Sequence, residues 1–379
     1  MLKIRSTTPV KIAPLKFLRL TRPERNRSQN SMGGYTLIEL LVAMIIAALV
    51  ISPLLGLAVN LLQTDRQEQA KATSEEELQL AVDFMARDLR QAVYIYDTNA
   101  LEDPNTINAE TSGIQNQIPP GSGALGTTCI DINTCKPILV FWKRRPFTSV
   151  VPVGTPWNCN NPDNCDDTFV FSLVAYYLIG NNNADNVWSN TARIARFEIS
   201  NGVIAPDNAT STVTVDGIEY MQIGTTNYRP SAGFDMFDLS LSGALEGRMN
   251  RWTKGTGGYD SNDMQILIDY VDQTPASNPA PNAPPAMQDC PADTLDGAPL
   301  QADRSNAVWT QSILAANFPN SFYVCVNQRD TAAIIHLRGN AIARIQSETN
   351  PPTYTDNRGR AGYFPSVKTE VQSVGRLVQ

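Results

Sequence analysis

The sequence predicts an α+β fold: one long N-terminal α-helix packed on an antiparallel, β-rich head. Three observations point there. Residues 33–62 form an apolar stretch (GGYTLIELLVAMIIAALVISPLLGLAVNLL). Residues 63–93 contain no Pro or Gly and many good helix formers. Beyond 93 the chain turns to short runs of branched and aromatic residues, separated by Gly, Asn and Pro. At 379 residues with 18% charged side chains, it can bury a sizeable core and is rich in turn formers.

The first element is a leader, residues 1–34. It carries eight basic residues (Lys3, Arg5, Lys11, Lys16, Arg19, Arg22, Arg25 and Arg27) against the single acid Glu24. The leader is therefore +7, and a whole-chain charge of −7 leaves −14 for the rest. An acidic body lacks the basic footprint of a nucleic-acid binder. A basic segment ahead of an apolar one stays on the cytoplasmic side, beside anionic lipid.

Residues 35–62 read as a transmembrane helix. Within 40–59 there is no charge, and Ser52, Pro53 and Gly56 alone depart from apolar helix formers. Twenty residues at the helical rise span roughly 30 Å, about one hydrocarbon core. Pro53 removes one helical hydrogen bond and loosens the span. The helix is expected to continue over 63–93 as an amphipathic segment, with Leu78, Val82, Met85, Leu89 and Val93 on its apolar stripe. Glu75, Glu76, Glu77, Asp83, Arg87, Asp88 and Arg90 are assigned to the polar face, and Glu68–Lys71 forms a weak pair of opposite charge. The stripe reads as the head's own core rather than an assembly surface.

Strands are expected at 137–142, 169–179, 192–200, 264–271, 321–326 and 331–337, with a final one within 367–377. Residues 94–379 thus make one β-rich head. Its 273–302 segment, with seven prolines, reads as an extended loop.

Six cysteines, an even number, all lie beyond the membrane segment, which favours disulfides in an oxidising compartment. Spacing favours Cys129–Cys135 and Cys159–Cys165 as small loops and Cys290–Cys325 as a longer staple, although six cysteines permit fifteen connectivities. The absence of CxxC and the presence of a single histidine, His336, argue against zinc.

The small pair Gly33-Gly34 precedes the apolar stretch, the reverse of a secretory signal, so a cut there removes the leader and keeps the helix. Glu39 would then be the fifth residue of the product. A carboxylate at a membrane edge needs a partner. The new α-ammonium of Tyr35 on a neighbouring subunit is the obvious one, and the helix N-terminus favours negative charge at this place.

Gly34-Tyr35-Thr36-Leu37-Ile38-Glu39 resembles the processing and N-methylation motif of type IV pilins and type II secretion pseudopilins. The resemblance implies cleavage after Gly34 by a prepilin peptidase, methylation of Tyr35, and engagement of Glu39 with a neighbour's N-terminus. Tyr35 stands where Phe is commoner, and the leader is long for the family. Residues 84–92 (FMARDLRQA) look like the helix end of J-type minor pseudopilins. LLQTDRQEQAK, RDLRQAVYIYD, LVFWKR and SLVAYYLIG are similar to the C-type pseudopilin of cyanobacterial hormogonium polysaccharide secretion.

No catalyst is expected. His336 lies in an apolar run with no second histidine, and no GxSxG elbow is present. Asp163, Asp166 and Asp167 in NNPDNCDD offer oxygens of the kind calcium takes, and some pseudopilins bind it. The loop lacks EF-hand spacing, and an acidic turn is the plainer reading. Lys143-Arg144-Arg145 is read as solvated charge at a strand end rather than a polysaccharide contact. Five tryptophans (142, 157, 188, 252 and 309) are as suited to cores as to stacking on sugars.

The expected function is structural and cofactor-free: a minor pseudopilin, single-pass in a bacterial inner membrane with a periplasmic head, in a pseudopilus that exports exopolysaccharide. Implied partners are sibling pseudopilins, the prepilin peptidase, a polytopic platform protein, its ATPase and the lipid bilayer. Two other readings stand beside it. One is a minor type IV pilin for adhesion, motility or DNA uptake, and the other is a membrane-tethered sugar-binding or enzymatic ectodomain.

Overall fold

A computed structural model describes residues 34–379, apart from 107, 109–110, 127–128, 181–186, 292–293, 296–297, 300–308, 347–349, 358, 376 and 378–379. The basic leader, residues 1–33, and parts of the proline-rich 273–302 segment lie outside the described residues. The chain divides into two compact units, Met1–Asn60 and Leu61–Gln379.

Helix α1 covers Leu37–Arg90, 54 residues with Pro53 inside it. Every described residue of the first unit is exposed. Among the described residues α1 is the one helix long and apolar enough to cross a membrane.

The helix ends at Arg90, short of the expected 93. Gln91 turns the chain, and Ala92–Ile95 (AVYI) form strand β1, so Val93 sits on a strand rather than on the helical stripe. A valine, a tyrosine and an isoleucine in succession fit a pleated, half-buried surface better than a helix end.

The remaining elements are α2 (Thr98–Glu102), β2 (Cys135–Pro152), β3 (Cys165–Ile179), β4 (Ala192–Ser200), β5 (Thr212–Val215), β6 (Ile218–Ile223), β7 (Thr226–Asn227), α3 (Leu245–Met249), β8 (Met264–Val271), β9 (Thr294–Leu295), β10 (Ala298–Pro299), β11 (Trp309–Gln311), β12 (Phe322–Asn327), β13 (Ala332–Arg338) and β14 (Ser366–Gln372). A five-stranded sheet has the order β1-β2-β3-β4-β8, and a four-stranded one the order β11-β12-β13-β14. Every pairing in both is antiparallel. β5-β6-β7 and β10-β9 form small separate sheets.

Leu78, Val82, Met85 and Leu89 of α1 belong to one buried cluster with Phe141 and Tyr176 of the first sheet and Phe322 and Ile335 of the second. One helical stripe therefore serves as core for both sheets. Each such side chain contributes about 1.5–3 kcal/mol by leaving water. Close approach needs Gly339, directly after β13. A Cβ built there would lie 2.9 Å from Leu78 Cδ1 and 3.0 Å from Ser74 Oγ. A second core contains Trp142, which meets Phe237 and Trp252 edge-on at 5.0 and 5.6 Å.

Asp88 and Lys143 depart from their expected exposure. Asp88 is buried on the flank of the stripe, and Lys143 is buried within β2. Their ion pair is 2.7 Å long. Arg196 Nε of β4 reaches Asp88 Oδ2 at 2.7 Å, and the Tyr176 hydroxyl of β3 donates to the same oxygen at 2.7 Å. Glu198 completes the cluster, 2.6 Å from Arg196 and 3.5 Å from Lys143. Burial alone would raise the Asp88 carboxyl, but Arg196 and Lys143 outweigh it and hold it below the usual carboxylate range.

Removing one member of a buried pair leaves charge uncompensated. Asp88→Ala is expected to lower the unfolding free energy by about 3–5 kcal/mol in denaturant titrations. Asp83→Ala, on the exposed face of the same helix, should stay within about 0.5 kcal/mol of the parent.

Candidate functional site

The N-terminal end of α1 gathers the residues singled out in the sequence. Thr36 precedes the first helical residue, and its Oγ1 accepts a hydrogen bond from Glu39 N at 3.3 Å. Its carbonyl accepts from the Glu39 and Leu40 amides at 3.0 and 3.2 Å. Thr36 is therefore the N-cap, with Glu39 three residues on, the Ser/Thr-x-x-Glu order of a capping box. Glu39 stands in the first turn, where unpaired amides and the helix dipole favour a carboxylate. The cap went unread in the sequence analysis, although the Thr36-x-x-Glu39 spacing carries its signal.

Gly34 and Tyr35 are exposed ahead of the helix. A Cβ added at Gly34 meets nothing within 4 Å, and the fold makes no demand for glycine there. The same holds at Gly56, inside the helix, where glycine costs about 1 kcal/mol relative to alanine. One turn earlier, the Ser52 hydroxyl donates to Ala48 O at 2.8 Å beside the amide that Pro53 lacks. Such local bonds accompany a loosened helix.

The cysteines pair as Cys129–Cys135, Cys159–Cys165 and Cys290–Cys325, with Cα–Cα distances of 5.1, 5.8 and 5.6 Å. The first enters β2 and the second enters β3. The third ties the proline-rich segment to β12.

Asp163, Asp166 and Asp167 do not converge. Asp163 lies in a one-turn 3₁₀ helix, while Asp166 and Asp167 are consecutive on β3 and so point to opposite faces. Asp167 Oδ1 already accepts from Ser149 N at 2.8 Å. Among the described residues no group of three His, Cys, Asp or Glu is placed to hold a metal ion. Trp142 and Trp252 are core residues. Arg144 is exposed in the middle of β2 and lies 4.9 Å from the Phe169 ring, not at a strand end.

His336 is buried on β13 and stacks on Tyr323 of β12, with ring centroids 4.4 Å apart. Burial, helped by the Lys368 ammonium, lowers its pKa to about 4.

Residues 29–55 match the family model described as the prokaryotic N-terminal methylation motif. No curated protein and no solved structure matches the chain.

Acid should therefore destabilise the head in two stages. His336 is neutral when folded but takes a proton near 6.5 when unfolded, so stability falls as pH drops from about 6.5 to about 4. Asp88 and Glu198 have folded pKa values below their ordinary ones, so their contribution is lost only at lower pH still. Unfolding free energies measured from pH 7 to 3 should lose the first stage, and only that stage, in His336→Gln.

Proposed function

We propose that this chain, whose methylation motif and long apolar helix support a membrane-anchored, type IV pilin-like structural subunit, is a minor pseudopilin. Prepilin peptidase cuts after Gly34, and Tyr35 becomes the methylated N-terminus. Glu39 then meets the α-ammonium of a neighbouring subunit. The subunit spans a bacterial inner membrane once, with its head in the periplasm, and joins sibling pseudopilins on a platform protein driven by an ATPase. The cargo we favour is exopolysaccharide.

The observation that carries this reading is the N-terminal end of α1. A capped helix start presents one carboxylate on a segment that is otherwise apolar and wholly exposed. A glycine that the fold does not require stands just outside it. Lipid, or helices of other subunits, must cover such a segment, because water would leave its apolar surface unsatisfied. A charge of +7 over residues 1–34 and −14 over residues 35–379 supports the orientation. Three disulfides support an oxidising compartment for the head. The rank of minor subunit rests on the resemblance of residues 84–92, and the cargo on that of residues 61–71, 87–97, 139–144 and 172–180.

Glu39→Ala separates assembly from anchoring. The variant should be cleaved and inserted as the parent is, yet fail to co-purify with sibling subunits after chemical cross-linking. Unimpaired export and assembly in that variant would favour a simple membrane-tethered ectodomain.

A further inference from the structure

The outer face of the β11–β14 sheet carries a cavity of about 210 Å³. Its floor is a cross-strand row: Tyr323 of β12 pairs with His336 of β13, which pairs with Lys368 of β14. Pro285, Ala286 and Gln288 of the proline-rich segment wall one side, and Tyr354, Ala361 and Phe364 the other. The wall is tied to the floor. Gln288 N donates to the Tyr323 hydroxyl at 2.8 Å, and the Cys290–Cys325 disulfide joins the same two segments.

No Asp or Glu lines the cavity, although the body around it is strongly acidic. Arg338 is neutralised by Asp272 at 2.8 Å and also donates to Asn320 at 2.7 Å. Lys368, at the rim, has no ion-pair partner among the described residues and touches only the Gln288 amide oxygen, at 3.4 Å. Glu370, the nearest acid on its strand face, does not pair with it.

Ser321 is 1% exposed, and its hydroxyl has no hydrogen-bond partner among the described residues. A buried polar atom left unmatched costs free energy unless something fills its place. His336, held neutral beside it, offers one N–H and one acceptor.

We infer that this cavity binds a small hydroxylated carboxylate. One uncompensated ammonium matches one negative charge rather than a phosphate dianion. Ser321, His336 and Gln288 supply partners for the carboxylate and for hydroxyl groups, while Pro285, Ala286 and Phe364 face a carbon skeleton. The inference does not rest on the reading of the N-terminal helix.

The test is calorimetric titration of the full chain in detergent with glucuronate, using glucose as the uncharged match in size. Glucuronate should bind saturably and glucose at least tenfold more weakly, since a hydrogen bond to a charged group contributes about that much. Lys368→Gln, on an exposed side chain, should weaken glucuronate by about tenfold, and Ser321→Ala by several-fold. Absence of saturable binding, equal affinity for glucose, or unchanged affinity in Lys368→Gln would overturn the site.

Discussion

The carboxylate of Asp88 meets Lys143 of β2, Tyr176 of β3 and Arg196 of β4, so three neighbouring strands converge on one helical side chain. Around it the packing of the helical stripe on the sheets is apolar and non-directional, and Glu77 pairs with Arg344 further up the helix. Burial by itself would let α1 slide or rotate over the sheet at little cost. A charged cluster with bonds of 2.7 Å fixes one register. Gly339 sets the closeness of approach to the second sheet in the same way, by leaving no Cβ between β13 and Leu78. Position along the helix is thus set by charge, and depth by the absence of a side chain.

The first unit poses the opposite problem. Its part of α1 has apolar side chains on every face and nothing buried. Its polar exceptions are placed where a helix can use them. Thr36 closes the N-terminal turn, Glu39 lies where the dipole favours it, and Ser52 returns its hydroxyl to the backbone beside Pro53. A segment built this way is complete only with lipid or other apolar helices around it. The head, by contrast, holds four buried clusters and three disulfides of its own among the described residues.

Much of this was legible in the sequence, and the failures share a cause. The runs at 169–179, 192–200 and 264–271 are strands because long stretches of branched and aromatic residues leave few other ways to be buried. The helix was legible from its apolar run, whereas the Thr36 cap at its start was not read. Asp88 and Lys143 were misplaced because each, read along its own element, looks like solvated charge. Their burial depends on Arg196 and Glu198, far along the chain. Strands β1, β5, β6, β7, β9, β10 and β11 were missed because they are short, so periodicity had little to act on. The row Tyr323–His336–Lys368 is likewise a product of register, which no single strand displays.

Cleavage between Gly34 and Tyr35 is the claim on which the proposed function turns, because it would remove the basic leader and create the α-ammonium proposed as the partner of Glu39. Intact-mass analysis of the protein extracted from membranes tests it most directly. The account predicts a chain beginning at Tyr35 and carrying one added methyl group. A mature chain still beginning at Met1, or cut on the far side of the apolar helix, would contradict it.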